Sequence, residues 1–162
     1  MYKKRIADIL LERKLAGKGA VLIEGPKWCG KTTTASMQAK SILDLGDSEI
    51  LKESKSMIEI SPRKLLEGET PRLIDEWQTL PALWDSIRNL VDKRQEVSQF
   101  ILTGSSVLPE AYETTHSGTG RIGRIRMRPM SLYESEESNG RVSLKNLFEG
   151  KDFEIQENSL TI

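Results

Sequence analysis

Residues 25–32 read Gly25-Pro26-Lys27-Trp28-Cys29-Gly30-Lys31-Thr32, which fits the pattern G-x-x-x-x-G-K-[ST] at every fixed position. A short apolar run, Ala20–Ile23, precedes this loop and predicts a buried strand, whereas Thr32–Lys40 predicts a helix. This order of strand, glycine-rich loop and helix is the context in which the pattern binds phosphate. The stretch therefore predicts an α/β fold of the P-loop NTPase class.

The residue types in the loop suit the chemistry of phosphate binding. Gly25 and Gly30 permit backbone conformations that turn consecutive N–H groups toward phosphate oxygens. Lys31 is expected to contact the β- and γ-phosphates, Thr32 to offer its hydroxyl to Mg²⁺, and Thr33 to contact the α-phosphate. We expect every residue from Gly25 to Thr33 to help bind a nucleotide, ATP or GTP, together with Mg²⁺.

Trp28 occupies a variable position of the pattern, where a large side chain is not required. We expect its indole to lie on the outer side of the loop, against the base, or against a neighbouring strand. The alternative is a core tryptophan that packs under the loop.

A second motif lies at the end of the predicted strand Arg72–Asp75. It consists of two adjacent carboxylates, Asp75 as the last residue of the strand and Glu76 directly after it. In P-loop folds we expect the strand beside the loop to supply an Asp that holds Mg²⁺, and we assign Asp75 to this role. Glu76 would act as the general base that takes a proton from the attacking water. The alternative is a polar strand end with two solvated acids.

A third strand end carries hydroxyl groups. The predicted strand Gln99–Thr103 ends in Thr103, and Ser105 follows closely. We favour Thr103 over Ser105 as the residue that senses the γ-phosphate or orients the attacking water. The alternative is an ordinary turn rich in Gly and Ser.

An arginine-rich stretch, Arg121–Arg128, supports three interpretations. Its second part alternates with period two, which predicts a strand with Arg124, Arg126 and Arg128 on one face and with Ile125 and Met127 toward the core. The arginines could form a solvated strand face or contact nucleic-acid phosphates. Alternatively, Arg121 could be an arginine finger that reaches the γ-phosphate in a neighbouring subunit.

Five predicted strands alternate with helices, which indicates a mostly parallel five-stranded sheet flanked by helices. The remaining predicted elements are a helix at Arg5–Leu15 with an apolar stripe of Ile6, Ile9, Leu10 and Leu15, a strand at Ser41–Leu45, a charged helix ending near Met57, a short helix capped by Ser61 with Pro62 at its first position, a helix at Pro81–Arg94 and a short helix at Ser143–Glu149.

Composition narrows the functional classes. The 162 residues suffice for one domain, and Lys+Arg balances Asp+Glu at 24 each, so the chain lacks the basic field of a dedicated nucleic-acid binder. A single cysteine excludes an internal disulfide, and no apolar run approaches the ~18 residues of a membrane span. We expect a soluble, cytoplasmic protein with no membrane partner.

Several segments together resemble the N-terminal ATPase domain of a prokaryotic family of predicted AAA+-superfamily ATPases, whose members usually continue into a C-terminal domain of unknown function. The resemblance covers residues 2–135 and is carried by Gly25–Ala35, Arg72–Gln78, Phe100–Ser105, His116–Ile122 and Arg128–Glu134. It implies an ATPase domain over residues 1–135, followed at 136–162 by a tail or the start of a second domain.

The resemblance also implies ATP at the carboxyl ends of the strands. Lys31, Thr32, Asp75 and Glu76 fall on the family's nucleotide and catalytic positions, and Arg121 falls where a finger arginine would lie in a homo-oligomer. We therefore expect an Mg²⁺-dependent module that binds and hydrolyses ATP for an unknown client. The alternatives are a small-molecule or nucleoside kinase and a nucleotide-binding switch without turnover.

Overall fold

The computed structural model describes residues 2–104, 120–138 and 143–151. The chain divides into two compact units, one formed by Lys4–Pro129 and one by the chain ends Met1–Lys3 and Met130–Ile162. The first unit contains the sheet and the loop at residues 25–32. The second contains a short helix whose first turn is capped by the side chain of Ser143, which accepts a hydrogen bond from the Asn146 N–H at 3.1 Å.

Five strands form one all-parallel sheet in the order β2-β3-β4-β1-β5, which confirms the predicted fold class. The strands are β1 (Ala20–Glu24), β2 (Ser41–Asp44), β3 (Arg72–Asp75), β4 (Phe100–Gly104) and β5 (Ile122–Arg126). Because all five run in the same direction, their carboxyl ends share one edge of the sheet. The phosphate-type loop follows β1, and β4 separates β1 from β3.

Six helices are described: α1 (Ile6–Leu15), α2 (Lys31–Ser36), α3 (Ser48–Ile60), α4 (Pro62–Leu65), α5 (Leu83–Arg94) and α6 (Leu144–Phe148). Asp47 caps α3, since its carboxylate accepts from the N–H groups of Glu49 and Ile50 at 2.8 and 3.2 Å. Pro62 occupies the first turn of α4 as predicted, but the Ser61 side chain makes no capping hydrogen bond. Ser61 therefore occupies the predicted N-cap position without satisfying an N–H of the helix.

Both faces of the sheet are buried, as a parallel sheet requires. Alternate side chains of β1 separate into two apolar clusters: Ala20 and Leu22 join the cluster that includes α5, and Val21 and Ile23 join the one that includes α1 and α2. The central strands β1 and β4 are almost fully inaccessible to solvent. This burial explains why their sequences read as continuous apolar runs.

The apolar face of α1 shares only Leu15 with the predicted stripe. Ile6, Ile9 and Leu10 are 52, 43 and 41% exposed, whereas Ala7, Leu11 and Leu15 are buried. Both sets of residues have helical spacing. The sequence pattern favoured the set with more large side chains, but the small Ala7 belongs to the face that packs against the sheet, in the cluster with Val21, Ile23 and Ile125.

Several element boundaries also differ from the predictions. Helix α2 ends at Ser36, earlier than the predicted Lys40, because the N–H of Lys40 donates to the carbonyl of Pro71 at 2.8 Å as the chain turns into β2. Helix α3 continues to Ile60 instead of ending near Met57. Strand β5 begins at Ile122, two residues before the predicted start at Arg124.

Adjacent leucines on α1 test the corrected helix face. Leu11 is fully buried, so Leu11→Ala should lower the free energy of unfolding by about 2–5 kcal/mol through lost burial and the cavity left behind. Leu10→Ala, on the partly exposed side, should cost less than about 1 kcal/mol. Urea denaturation of both variants measures the difference. Equal losses of stability in the two variants would contradict the assignment of Leu11 to the buried face.

Candidate functional site

The loop between β1 and α2 adopts a conformation that explains its glycines. Gly30 lies in the left-handed region at φ +94°, where a side chain would be strained. A Cβ on Gly25 would collide with the backbone carbonyl of Met127, so this position also excludes a side chain. Trp28 adopts φ +69° and is 99% exposed to solvent, which rules out a core tryptophan under the loop.

Lys31 reaches back into the loop from the first turn of α2. Its side chain is buried, and its ammonium donates hydrogen bonds to the carbonyls of Gly25 and Pro26 at 3.0 and 2.8 Å. A cation is thereby held within the loop by backbone oxygens. An anionic ligand entering the loop would meet this ammonium directly.

Asp75 lies at the carboxyl end of β3, and its carboxylate accepts hydrogen bonds from hydroxyl groups of two other elements. Thr32, on α2, donates to its Oδ1 at 3.0 Å. Thr103, at the end of β4 and fully buried, donates to the same oxygen. The structure therefore brings together three residues that the sequence predicted separately.

The strand order corrects one premise of the sequence analysis. Asp75 was expected on the strand beside the loop, but β4 lies between β1 and β3. The contact with Thr32 forms nevertheless, because α2 starts at the loop and crosses over the end of β4. The intervening strand places Thr103 between the loop and Asp75.

The pKa of Asp75 is raised above its usual value. Burial of the carboxylate is the largest cause, and the charges of Asp44 and Glu76 raise the pKa further, while the hydrogen bonds from Thr103 and Thr32 lower it. The ionised form is thus destabilised by its surroundings. A cation beside Asp75 would relieve this cost.

Glu76 follows Asp75 in a left-handed conformation at φ +52°, which is unusual for a residue with a side chain. The amide of Gln78 donates to its Oε2. Trp77 anchors the turn, since it is buried and packs against Trp84 of α5 with ring centroids 4.9 Å apart. Glu76 lines the same pocket as Lys31 and Thr32.

A pocket of about 380 Å³ opens at this place. It is lined by Lys27, Trp28, Gly30, Lys31, Thr32, Thr33 and Glu76. A larger groove of about 620 Å³ is lined by one face of α3, from Glu49 to Ile60, and contains neither the loop nor the Asp75 cluster. We take the smaller pocket as the functional site because the cationic, hydroxyl and carboxylate groups converge there.

Arg121 lies at the amino ends of the strands, directly before β5 and opposite to the carboxyl ends where the loop is found. Its carbonyl accepts from the N–H of Ala20 at 3.4 Å at the start of β1, and its guanidinium pairs with Asp92 near the end of α5. Arg121 therefore cannot reach the loop of its own chain, and its action on a neighbouring subunit stays a prediction.

Arg124 pairs with Glu24 at 3.4 Å, and the predicted alternation of exposed arginines with buried apolar residues is confirmed. Ser105 lies outside the described residues.

Two residues near the site were missed by the sequence analysis. Gln78 follows Glu76 at a spacing that could have suggested a contact. Arg5 gave no such signal, since its guanidinium hydrogen-bonds to residues 24 and 123 positions away along the chain. Contacts over such separations are set by the tertiary structure and leave no local pattern.

Residues 17–136 match a family model described as an AAA domain. The chain belongs to this family. Two uncharacterized proteins, from Mycobacterium bovis and Mycobacterium tuberculosis, are each 27% identical to this AAA domain protein over 134 residues, which is 82% of this chain and 30% of theirs. Among solved structures, C. elegans PCH-2 is similar with a TM-score of 0.38 and 13% identity, over 81% of this chain and 43% of that one.

The family assigns a nucleotide-binding, ATPase-like module to the chain. The chain spans less than a third of the length of the curated relatives it matches. Within the described residues, no helix is long and apolar enough to cross a membrane. The same residues contain no cluster of three or more His, Cys, Asp or Glu side chains suited to a metal ion.

The raised pKa of Asp75 predicts a pH-dependent gain in stability for Asp75→Asn without nucleotide or divalent cation. The protonated carboxyl contributes stability below its unfolded pKa of about 4, and this contribution is lost as the pH rises through the higher folded-state pKa. Above that pH the wild type keeps a desolvated carboxylate, whereas the amide cannot ionise. The free energy of unfolding of the variant relative to wild type should therefore increase with pH.

Urea denaturation between about pH 4 and about pH 8 measures this dependence. Asp85→Asn is the control, because Asp85 is 63% exposed on α5. A change in stability at Asp75→Asn that is the same at every pH would assign the effect to side-chain shape, and the charge argument would fail.

Proposed function

We propose that this AAA domain binds ATP together with Mg²⁺ and hydrolyses it. The observation that carries the proposal is the hydrogen bond between Thr32 and Asp75, 3.0 Å long, beside the loop that holds Lys31. It joins the two side chains predicted to hold the metal, although they lie 43 positions apart in the sequence. Hydrolysis of Mg-ATP requires at least a phosphate-binding loop, a hydroxyl and a carboxylate that lie close together.

The phosphates of ATP are expected to bind in the pocket formed by the loop and the first turn of α2. The loop offers backbone N–H groups, and the Lys31 ammonium would exchange its hydrogen bonds to the Gly25 and Pro26 carbonyls for phosphate oxygens. Lys27 and Thr33 line the same pocket and add a further cation and hydroxyl. The cluster is thus complementary to a polyanion.

The donor set at Thr32 and Asp75 fits Mg²⁺. A hydroxyl and a carboxylate are hard oxygen ligands, and Mg²⁺ is usually held by one or two carboxylates together with substrate phosphates and water. A site with a single buried carboxylate therefore agrees with a metal that arrives with the nucleotide. When bound, Mg²⁺ would neutralise charge on the β- and γ-phosphates. Thr103 keeps its predicted role of sensing the γ-phosphate or orienting the attacking water, and its hydrogen bond would also orient Asp75 for this contact.

Glu76 is the group that we assign to activating water. Gln78 engages its Oε2, which leaves Oε1 free to accept a proton from water in the pocket. The water oxygen would bond to the γ-phosphorus, the bond from phosphorus to the β–γ bridging oxygen would break, and ADP would leave with that electron pair. The proton lost by the water would pass to Glu76. The trans contribution of Arg121 belongs to the same proposal and requires a homo-oligomer.

The alternatives from the sequence analysis differ in the acceptor of the phosphoryl group. A kinase would form ADP and a phosphorylated acceptor only when its acceptor is present, with little free phosphate, and a switch would bind ATP without turnover. Formation of ADP and of free phosphate, both measured with and without small hydroxyl and nucleoside acceptors, separates these three functions. We expect release that needs water alone.

Lys31→Ala should weaken binding of Mg-ATP at least about tenfold, because a charge-assisted hydrogen bond to phosphate contributes about 1.5–3 kcal/mol. Calorimetric titration measures the affinity. Lys55→Ala, on the exposed side of α3, is the matched control and should bind as the wild type does. Unchanged affinity in Lys31→Ala would mean that the loop does not bind the phosphates.

Glu76→Gln should bind Mg-ATP with nearly wild-type affinity and hydrolyse it about 10²–10⁴ times more slowly, since the amide keeps the shape but cannot take the proton. Single-turnover hydrolysis measures the chemical step separately from binding. Glu49→Gln, on the exposed first turn of α3, controls for loss of a surface carboxylate. Hydrolysis by Glu76→Gln at the wild-type rate would require a different base.

A further inference from the structure

Arg5 is a buried cation that neither the family pattern nor the proposed chemistry uses. It stands at the N-cap position of α1 with 6% of its surface exposed, whereas its neighbour Lys4 is exposed. Its backbone is fixed by a capping interaction in which the N–H of Arg5 donates to the Asp8 carboxylate at 2.6 Å. A buried arginine is costly to desolvate, so its contacts indicate what it does.

The guanidinium holds two backbone carbonyls that lie far apart in the sequence. Nη1 donates to the carbonyl of Cys29 at 2.8 Å, and Nη2 donates to the carbonyl of Arg128 at 2.9 Å. Cys29 belongs to the phosphate loop, which follows β1. Arg128 lies two residues after the end of β5, the strand that pairs with β1. The planar guanidinium, with its forked pair of N–H donors, therefore connects the loop to the segment that follows β5.

The contact with Cys29 determines how the next peptide group of the loop is oriented. In a trans peptide the C=O of one residue and the N–H of the next point in opposite directions. Because Arg5 engages the Cys29 carbonyl, the N–H of Gly30 is directed away from the guanidinium. Gly30 itself, at φ +94°, approaches Arg5 closely, since a Cβ there would lie 3.3 Å from Nη1.

We propose that Arg5 is a positioning residue that presets the Cys29–Gly30 peptide of the phosphate loop for binding nucleotide phosphates. The inference rests on the proposed function, since it concerns the same pocket. Arg5 acts through the loop backbone and does not line the pocket itself. Without the fork, the loop would have to be ordered at the moment of binding, and that cost would weaken affinity.

The test compares Arg5→Met, Arg5→Lys and Lys4→Met. Methionine keeps an apolar stem without donors, whereas lysine keeps the charge but, as a single point donor, cannot span both carbonyls as the fork does. The dissociation constant for a non-hydrolysable Mg-ATP analogue is measured by calorimetry under conditions in which circular dichroism shows each protein folded. Lys4→Met controls for loss of a cation at the adjacent, exposed position.

We expect Arg5→Met to bind about tenfold to about a hundredfold more weakly and Arg5→Lys to lie between it and the wild type. In steady-state hydrolysis, the fold-increase in KM should exceed the fold-decrease in kcat, because Glu76 lies on a different strand end. Lys4→Met should match the wild type in all three quantities.

A purely structural role for Arg5 predicts a different outcome. Both Arg5 variants would then unfold at lower urea concentration while their folded fraction bound the analogue with wild-type affinity, and that result would overturn the inference. Arg5→Lys retains the charge and the buried stem, so it provides a folded protein even if Arg5→Met does not. Failure of the wild type to bind the analogue would instead refute the proposed function.

Discussion

The site depends on the pair of hydroxyl hydrogen bonds that converge on Oδ1 of Asp75. One comes from Thr32 at the start of α2, and the other comes from Thr103 at the end of β4. Together they connect the loop after β1 with the ends of two further strands. A carboxylate in this place is desolvated, and the two donors offset part of that cost. The register of the parallel strands makes the arrangement possible, since it aligns their carboxyl ends.

The pocket is built from backbone conformations that the rest of the fold must stabilise. Trp28, Gly30 and Glu76, all of which line it, have positive φ angles. Two of these carry side chains, for which the left-handed region costs free energy, and such residues cluster where function requires a fixed geometry. The buried Trp77–Trp84 contact supports the turn at Glu76, and the sheet beneath it supplies the rigid base.

The loop is held from both sides. Inside, Lys31 binds the carbonyls of Gly25 and Pro26; outside, Arg5 binds the carbonyl of Cys29. Because Arg5 engages the Cys29 carbonyl, the N–H of Gly30 is directed away from the guanidinium, and Lys31 places its ammonium within the loop. An ordered loop reduces the entropy lost on binding and thereby favours affinity.

Local sequence patterns were sufficient to predict the five strands, the phosphate loop and the residue types at three strand ends. These features depend on neighbours in the chain: apolar runs form buried strands, and glycines in a fixed pattern shape a loop. The strand order, the buried face of α1 and the early end of α2 were decided by the tertiary structure, because each depends on competition between surfaces distant in sequence. The same holds for Arg5, whose partners Cys29 and Arg128 meet only after β5 pairs with β1. Local patterns specify what a segment can form, and packing selects which of its faces and contacts are used.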